Sequence, residues 1–447
     1  MWRRKGSRDT WPTGGWIRAA DGRIIPIAEL RPPPPMDRRR RQRLVILRAV
    51  GWMVRRLVPV RRSTDPAHPR ILAIRPDHLG DVLLSRPAIE ALAAVLPEAR
   101  ITVAVGPWGR DALGAAPAYA VQVVPFPGFS RTQQRPWQPY LLLARYALRL
   151  RREVPFDLAL VLRSDHWWGV LLAALAGIPV RIGFVTPEST PFITDRPDLS
   201  PGWSPTIETL SLAEVAARRL GGEAARDRLA ECWLSPDDAP RPVLPTIATE
   251  DDDLRVAMLL SDAGFPAATP LLVLHPGSGS RLKSWPIERF ASVGLILAAE
   301  RGLRIVVTGS AAEREMAQRL CDLLPAGALN LAGVLSWAEL EALLTAAELV
   351  IGVDSGPLHL AVAAGVPSVA LFGPASVLQF MPWGPRERHL TLEADLPCVP
   401  CRRLDFCHIE PDGEGPPPCM RALEAFEVVE MARDLLDGED PEDAPLG

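Results

Sequence analysis

The chain has 447 residues, 48% of them hydrophobic and 23% charged, which is enough apolar material for two ordinary cores and excludes a small disulfide-stapled scaffold. The formal net charge of -3 conceals an asymmetry: the first 70 residues carry 18 Lys+Arg against 5 Asp+Glu, and the rest carry 32 against 48. An acidic body with a basic N-terminal arm calls for an anionic partner for the arm, and nucleic acid and an anionic membrane surface both qualify.

Residues 1–35, with scattered Gly and Trp and a four-proline run at 32–35, are expected to be poorly ordered. They lack an apolar signal-peptide core. Met36 offers an alternative start that would remove much of the arm and leave the body untouched. A basic helix is predicted over 37–62. Its apolar part, 44–60, is broken by Arg48, Arg55 and Arg56 and falls short of the ~20 residues of a membrane span. It either lies on a membrane face or packs on the body with its arginines in water.

Regular structure is expected to start at residues 70–75 (RILAIR), a buried strand. A loop over 76–81 and a helix over 82–96 follow, then a strand at 100–105 (RITVAV). A strand at 158–162 leads into an apolar helix that stops at Gly177. The Asp- and Pro-rich stretch 236–245 reads as an interdomain linker. A second alternating series has strands at 271–275, 304–308, 349–353 and 368–372, with helices at 287–301, 313–324, 336–346 and 357–364. Strand-helix alternation implies parallel sheets in two α/β units, and a ligand cleft between them is the natural expectation.

Five segments carry chemistry. Leu79-Gly80-Asp81 follows the first strand, where ligands bind in a parallel sheet; Asp81 is read either as a helix N-cap or as a general base. His275-Pro276-Gly277-Ser278-Gly279-Ser280, with Lys283 beyond it, offers amides, hydroxyls and a cation to a diphosphate, or is a plain flexible turn. Asp354-Ser355-Gly356-Pro357 opens a helix whose free N–H groups suit an anion. His359 points either into that site or into the core. Thr308-Gly309-Ser310 precedes Glu313, a candidate ribose contact or a first-turn helix carboxylate. Cys398, Cys401, Cys407 and Cys419 form a cluster for which a structural zinc site, a disulfide pair and free thiols are all open. Its stretch 410–418 reads as a surface loop. No GxGxxG follows the first strand, so a dinucleotide-dependent oxidoreductase is poorly supported.

Four segments, RILAIRPDHLGDVLLSRPAIEAL, LHPGSGSRLKSWPIERF, VVTGSAAERE and LVIGVDSGPLHLAVAAGVPSVALFGP, resemble in order the heptosyltransferases of lipopolysaccharide assembly, glycosyltransferase family nine. The resemblance runs from about residue 70 to 436, cysteine loop included, and leaves out the arm. It implies an α/β GT-B fold: two Rossmann-like domains facing across a cleft, 70–240 for the acceptor and 246–436 for the nucleotide sugar. The basic arm (1–69) and an acidic tail (437–447) flank them. It implies an inverting transfer of heptose from ADP-heptose to a lipopolysaccharide-core or related lipid-linked glycan. The protein would be cytoplasmic, peripheral on the inner membrane through its arm, without a nucleic-acid partner and without a cofactor needed for chemistry.

By position, Asp81 matches the catalytic base. Lys283, with Ser278 and Ser280, matches the groups that hold and neutralise the donor diphosphate. Asp354 matches a contact to the donor sugar, Ser355 and Gly356 amides for phosphate, Glu313 a ribose contact, and the backbone near Leu335 the adenine site. The phosphate loop departs from the family in its small Gly/Ser residues. The alternatives are a relative using another nucleotide sugar and a catalytically silent relative that binds nucleotide or glycan; the joint presence of Asp81, Lys283 and Asp354 speaks against silence.

Overall fold

The computed structural model describes residues 16–18, 24–26, 38–77, 79–114, 119–124, 138–153, 155–199, 202–233, 244–266, 268–325, 327–410 and 413–438. Most of the segment 1–35, most of the linker and most of the acidic tail lie outside the described residues. The chain divides into two compact units, one ending at Leu244 and the other beginning at Pro245.

In the N-terminal unit a short antiparallel pair, β1 (Trp16–Arg18) and β2 (Ile24–Pro26), precedes helix α1 (Arg38–Leu57). The body follows as β3 (Arg70–Arg75), α2 (Leu79–Leu83), α3 (Arg86–Val95), β4 (Arg100–Val105), β5 (Tyr119–Val123), α4 (Gln138–Arg152), β6 (Leu158–Val161), α5 (Trp167–Ala176), β7 (Val180–Ile182) and α6 (Pro205–Trp233), the last interrupted at Gly222. Strands β3 to β7 form one parallel sheet in the order β5-β4-β3-β6-β7. Ile71 to Ile74 of the central β3 are at most 1% exposed. A strand covered on both faces has no reason to alternate, so RILAIR reads as a continuous apolar run. Gly177 ends α5 in the left-handed conformation, φ 80°, which lets the chain reverse into β7 without a Cβ clash.

The single helix expected at 82–96 is two. Pro87 stands in the first turn of α3. Its ring would clash with the carbonyl of residue 83 if the helix ran on, and it has no N–H to donate. The chain therefore breaks after Leu83, and α2 starts at Leu79, earlier than expected, so Asp81 lies inside a helix instead of ahead of one. Helix α1 ends before Pro59, not at 62, because the residue preceding a proline is pushed out of the helical region.

Helix α1 packs on the body. Leu44 and Leu47 are buried, and a methyl group at Gly51 would strike Pro191. Arg40 pairs with Glu188 at 2.7 Å, and Arg55 donates to the Pro191 carbonyl at 2.8 Å. Among the described residues no helix is long and apolar enough to cross a membrane.

The C-terminal unit runs α7 (Glu250–Asp262), β8 (Leu271–His275), α8 (Ile287–Arg301), β9 (Arg304–Val307), α9 (Arg314–Leu323), β10 (Leu329–Asn330), α10 (Trp337–Thr345), β11 (Leu349–Val353), α11 (Gly356–Ala363), β12 (Ser368–Phe372), α12 (Val377–Phe380), β13 (His389–Glu393), α13 (Pro418–Arg421) and α14 (Ala425–Leu436). Its six strands are all parallel, ordered β10-β9-β8-β11-β12-β13. The core on one face gathers Trp285 and Phe290, edge-on at 4.8 Å, with Val353, Leu371 and Met420. Cys419 and Met420 are buried in this core, and Pro417 just ahead of them is buried too. The far end of the cysteine loop is therefore anchored inside, while the described part of 410–418 other than Pro417 is exposed or half-buried, as expected of a surface loop. Both units are α/β with a Rossmann-like parallel sheet.

Candidate functional site

In each sheet the strand order reverses at one place: between β3 and β6 in the N-terminal unit, and between β8 and β11 in the C-terminal unit. Crossovers leave such a point in opposite directions, and the loops past the strands' carboxyl ends splay to leave a crevice. Asp81 falls at the first of these points and Lys283 and Asp354 at the second, whereas Glu313 follows β9, one strand away.

At the first, β3 ends in Arg75, which is 4% exposed, and Asp77 follows at 3%. Arg75 Nε lies 2.9 Å from Asp77 Oδ2 and donates at 3.2 Å to the Asp81 carbonyl, while Nη2 lies 3.7 Å from Asp81 Oδ1. Another of its nitrogens donates to the carbonyl of Leu162, just past β6. Arg163 reaches back from the same loop to pair with Asp77 and with Asp165. Trp108 Nε1 donates to the Asp77 carbonyl at 2.6 Å. A buried guanidinium needs counter-charges and acceptors on all sides, and this network supplies them. Of its carboxylates Asp77 is nearly sealed, whereas the Asp81 side chain is 38% exposed.

The ionisation pattern around it has clear causes. Burial pulls His166 down to about 4, so it is a neutral ring at neutral pH. Burial works against the charge of Asp165, but Arg163 overcomes it and holds that carboxyl below its ordinary value. Burial likewise opposes the charge on Arg163, and Asp165 and Asp77 hold it firmly protonated. Arg75, Asp77, Arg163, Asp165 and His166 were not singled out from sequence. The available signal was a charged run, Arg163-Ser164-Asp165-His166, directly after a buried strand of a parallel sheet.

At the second point, the loop after β8 ends in a single tight turn, Arg281–Lys283. Lys283 Nζ lies 2.7 Å from Oδ2 of Asp354, just past β11. The two residues assigned to different parts of a donor thus meet as an ion pair across the crevice. The Ser278 and Ser280 hydroxyls serve the loop itself. Ser278 donates to the Ser280 carbonyl at 2.7 Å, and Ser280 accepts from the Leu282 amide at 3.2 Å and donates to the Leu404 carbonyl at 2.8 Å. Both hydroxyl protons are committed here, which leaves backbone amides and Lys283 as the loop's donors to an anion. Arg281 adds bonds to the carbonyls of Gly413 and Gly415 at 2.6 and 3.0 Å. The phosphate loop is therefore tied to the cysteine loop.

Glu313 closes a short turn, Ala311–Glu313, and accepts at 2.7 Å from both the amide and the hydroxyl of Ser310. A Cβ at Gly277 would land on the Glu313 carboxyl, so only glycine lets the phosphate loop come this close. Burial pulls His275 down to about 4 against the opposing charge of Glu313, and the neutral ring bonds Thr308 at 2.9 Å. Leu335, partly buried, precedes Ser336, the N-cap of α10. Ser355 stands at the N-cap position of α11 without a capping hydrogen bond from its side chain, and the helix opens with Gly356 and Pro357; His359 is partly exposed in its first turns.

All six cysteines are free thiols. Cys398, Cys401, Cys407 and Cys419 line one small cavity together with Leu282. Burial pushes the Cys419 thiol up to about 11, with the other three thiols acting the same way. Among the described residues no group of three or more His, Cys, Asp or Glu side chains is set to hold a metal ion.

The model of glycosyltransferase family 9 (heptosyltransferase) matches residues 144–406, more than half of the chain. The chain belongs to this family. It is a glycosyltransferase. The match takes in the whole Lys283–Asp354 crevice and starts after Asp81. Lipopolysaccharide heptosyltransferase 2 of Salmonella typhimurium is 27% identical over 316 residues, 69% of this chain and 83% of that protein. The Escherichia coli ADP-heptose lipopolysaccharide heptosyltransferase II structure covers 84% of this chain and all of its own, with a TM-score of 0.63 at 22% identity. An E. coli heptosyltransferase solved with ADP-2-deoxy-2-fluoro heptose covers 82% of this chain and 99% of its own, with a TM-score of 0.52 at 19% identity. At these identities the structures speak for the fold of this glycosyltransferase.

Proposed function

We propose that this glycosyltransferase moves heptose from ADP-heptose to a lipid-linked acceptor of the lipopolysaccharide core, with inversion at the anomeric carbon. The observation that carries the reading is the Lys283–Asp354 pair at the C-terminal switch point, beside the amides that open α11. It sets a cation for a diphosphate next to a carboxylate for sugar hydroxyls. The names and bound ligand of the relatives support the choice of ADP and heptose.

In this reading Asp81 accepts the proton of the acceptor hydroxyl as its oxygen attacks the anomeric carbon. The bond from that carbon to the diphosphate oxygen breaks, and ADP leaves with the electron pair. Negative charge grows on ADP as the bond breaks, so Lys283 and the amides of Ser355 and Gly356 stabilise the transition state more than the ground state. Arg75 holds Asp81 by its backbone and side chain. Glu313 binds the ribose, and the backbone near Leu335 receives the adenine. The work takes place at the cytoplasmic face of a membrane, where nucleotide sugar and lipid acceptor meet, with the basic arm turned to the anionic surface.

A panel of nucleotide sugars tests this. ADP-heptose is expected to raise the melting temperature and to support transfer; a preference for a UDP- or GDP-sugar would overturn the donor assignment.

A further inference from the structure

Helix α1 has eight arginines and no acidic residue, and helix α4 has four and none. Their neighbouring carboxylates are already engaged: Glu188 by Arg40 and Glu153 by Arg149. Leu44, Leu47 and Gly51 turn α1 to the body. Steps of three and four place Val45, Ala49 and Trp52 on the opposite side, where water would favour polar residues. Ile46 is 61% exposed and Trp52 56%. Arg41, Arg48 and Arg55 run along one edge of that stripe at seven-residue steps. The Arg56 guanidinium sits 5.3 Å from the Trp52 ring, the pairing of an amphipathic ring with a cation that suits a headgroup region. Helix α4 repeats the pattern: Leu143, Ala147 and Leu150 face the core, and Leu141 and Leu148 face out with Arg145 and Arg152 along one edge of them.

Between the two helices lies an apolar groove of about 420 Å³. Ile46, Leu47 and Val50 form one wall, Tyr140 and Leu143 the other, and Trp167 of α5 lies against them, with Arg43 also in the lining. Apolar stripes bordered only by cations complement a surface of anionic headgroups over acyl chains. A protein partner would have to supply carboxylates along two separate helices.

We propose that α1 and α4 together form one docking face for an anionic phospholipid bilayer, and that the groove between them takes an acyl chain from it. This deepens the proposed function and rests on its reading of a lipid-linked acceptor. The arm alone would give electrostatic attraction; α4 and the groove add a fixed orientation of the N-terminal unit on the bilayer.

The test is co-sedimentation of the full chain with vesicles of phosphatidylcholine alone or mixed with phosphatidylglycerol. Two double variants, Ile46→Ser with Trp52→Ser and Leu141→Ser with Leu148→Ser, are compared with the parent. The expected result is binding to the mixed vesicles only, weakened about tenfold or more by each pair and by high salt, with unfolding midpoint and ADP affinity unchanged. Loss in the α1 pair alone overturns the shared face. Equal binding to neutral vesicles overturns the role of charge. If the variants instead dissolve a dimer in sedimentation velocity, a second copy is the occupant and the lipid assignment falls. Transfer onto a detergent-solubilised acceptor is measured in parallel. Turnover there without vesicle binding removes the docking face and leaves the proposed reaction standing, whereas vesicle binding without turnover does the reverse.

Discussion

Replacing Lys283 by alanine separates its two roles. The ammonium lies 2.7 Å from Asp354 Oδ2, and the side chains are 19% and 5% exposed. Stripping the partner from a fully buried pair costs about 3–5 kcal/mol; the solvent-open part of the lysine brings this to about 2–3 kcal/mol. In the proposed function the same change also removes a charge-assisted bond to the donor diphosphate, about 1.5–3 kcal/mol, a rise in the Kd for ADP of roughly ten- to hundred-and-fifty-fold. Adding Asp354→Asn removes the stranded charge and is expected to restore most of the stability without restoring ADP affinity. The three variants and the parent form a double-mutant cycle. It is read by denaturant unfolding of the full chain and by calorimetric titration with ADP. A folded Lys283→Ala protein with unaltered ADP affinity refutes the diphosphate role. Unaltered stability of the same protein refutes the energetics of the pair.

Arg75→Lys keeps the charge but loses the planar fork that touches Asp77, Asp81 and the Leu162 carbonyl together. A fall in kcat on the order of 10- to 100-fold with ADP affinity unchanged is expected; a change in ADP affinity alone would show that Arg75 does not act through Asp81. Stability also carries a pH signature. Burial holds His166, His275 and His389 at about 4 in the folded chain, below the ordinary 6.5. The unfolded chain therefore binds more protons between those values. Stability is full above about 6.5 and is lost as pH falls towards 4, by up to roughly 3 kcal/mol per histidine. Thermal unfolding from pH 7 to pH 4 should show a falling midpoint, and a flat profile would contradict the buried neutral histidines.

What sequence could reveal follows from burial. Strands β3, β4, β8, β11 and β12 and helix α8 read to the residue, because covered parallel strands are uninterrupted apolar runs and α8 lies between Pro286 and Gly302. The edge strand β13 and the two-residue β10 lack such runs, and β5 mixes buried and exposed positions. The break before α3 was hidden because proline is welcome in a first helical turn and gives no sign of whether another helix precedes it. In the site, residue types pointed to Lys283, Asp354, Glu313 and Asp81, yet the partnerships did not show. Lys283 and Asp354 are 71 residues apart and Arg163 is 86 from Asp77; only the strand order brings them together. The commitment of the Ser280 hydroxyl to Leu404, 124 residues away, was invisible for the same reason.

Asp81→Ala joins the exposed carboxylate of the N-terminal unit to the donor crevice of the C-terminal unit in one experiment. Heptose transfer from ADP-heptose to a lipid-linked core acceptor is followed alongside ADP binding. Transfer is expected to fall by about 10²- to 10⁴-fold with the Kd for ADP near that of the parent. Turnover at the parent rate would contradict the assignment of Asp81 as the base, and with it the proposed mechanism.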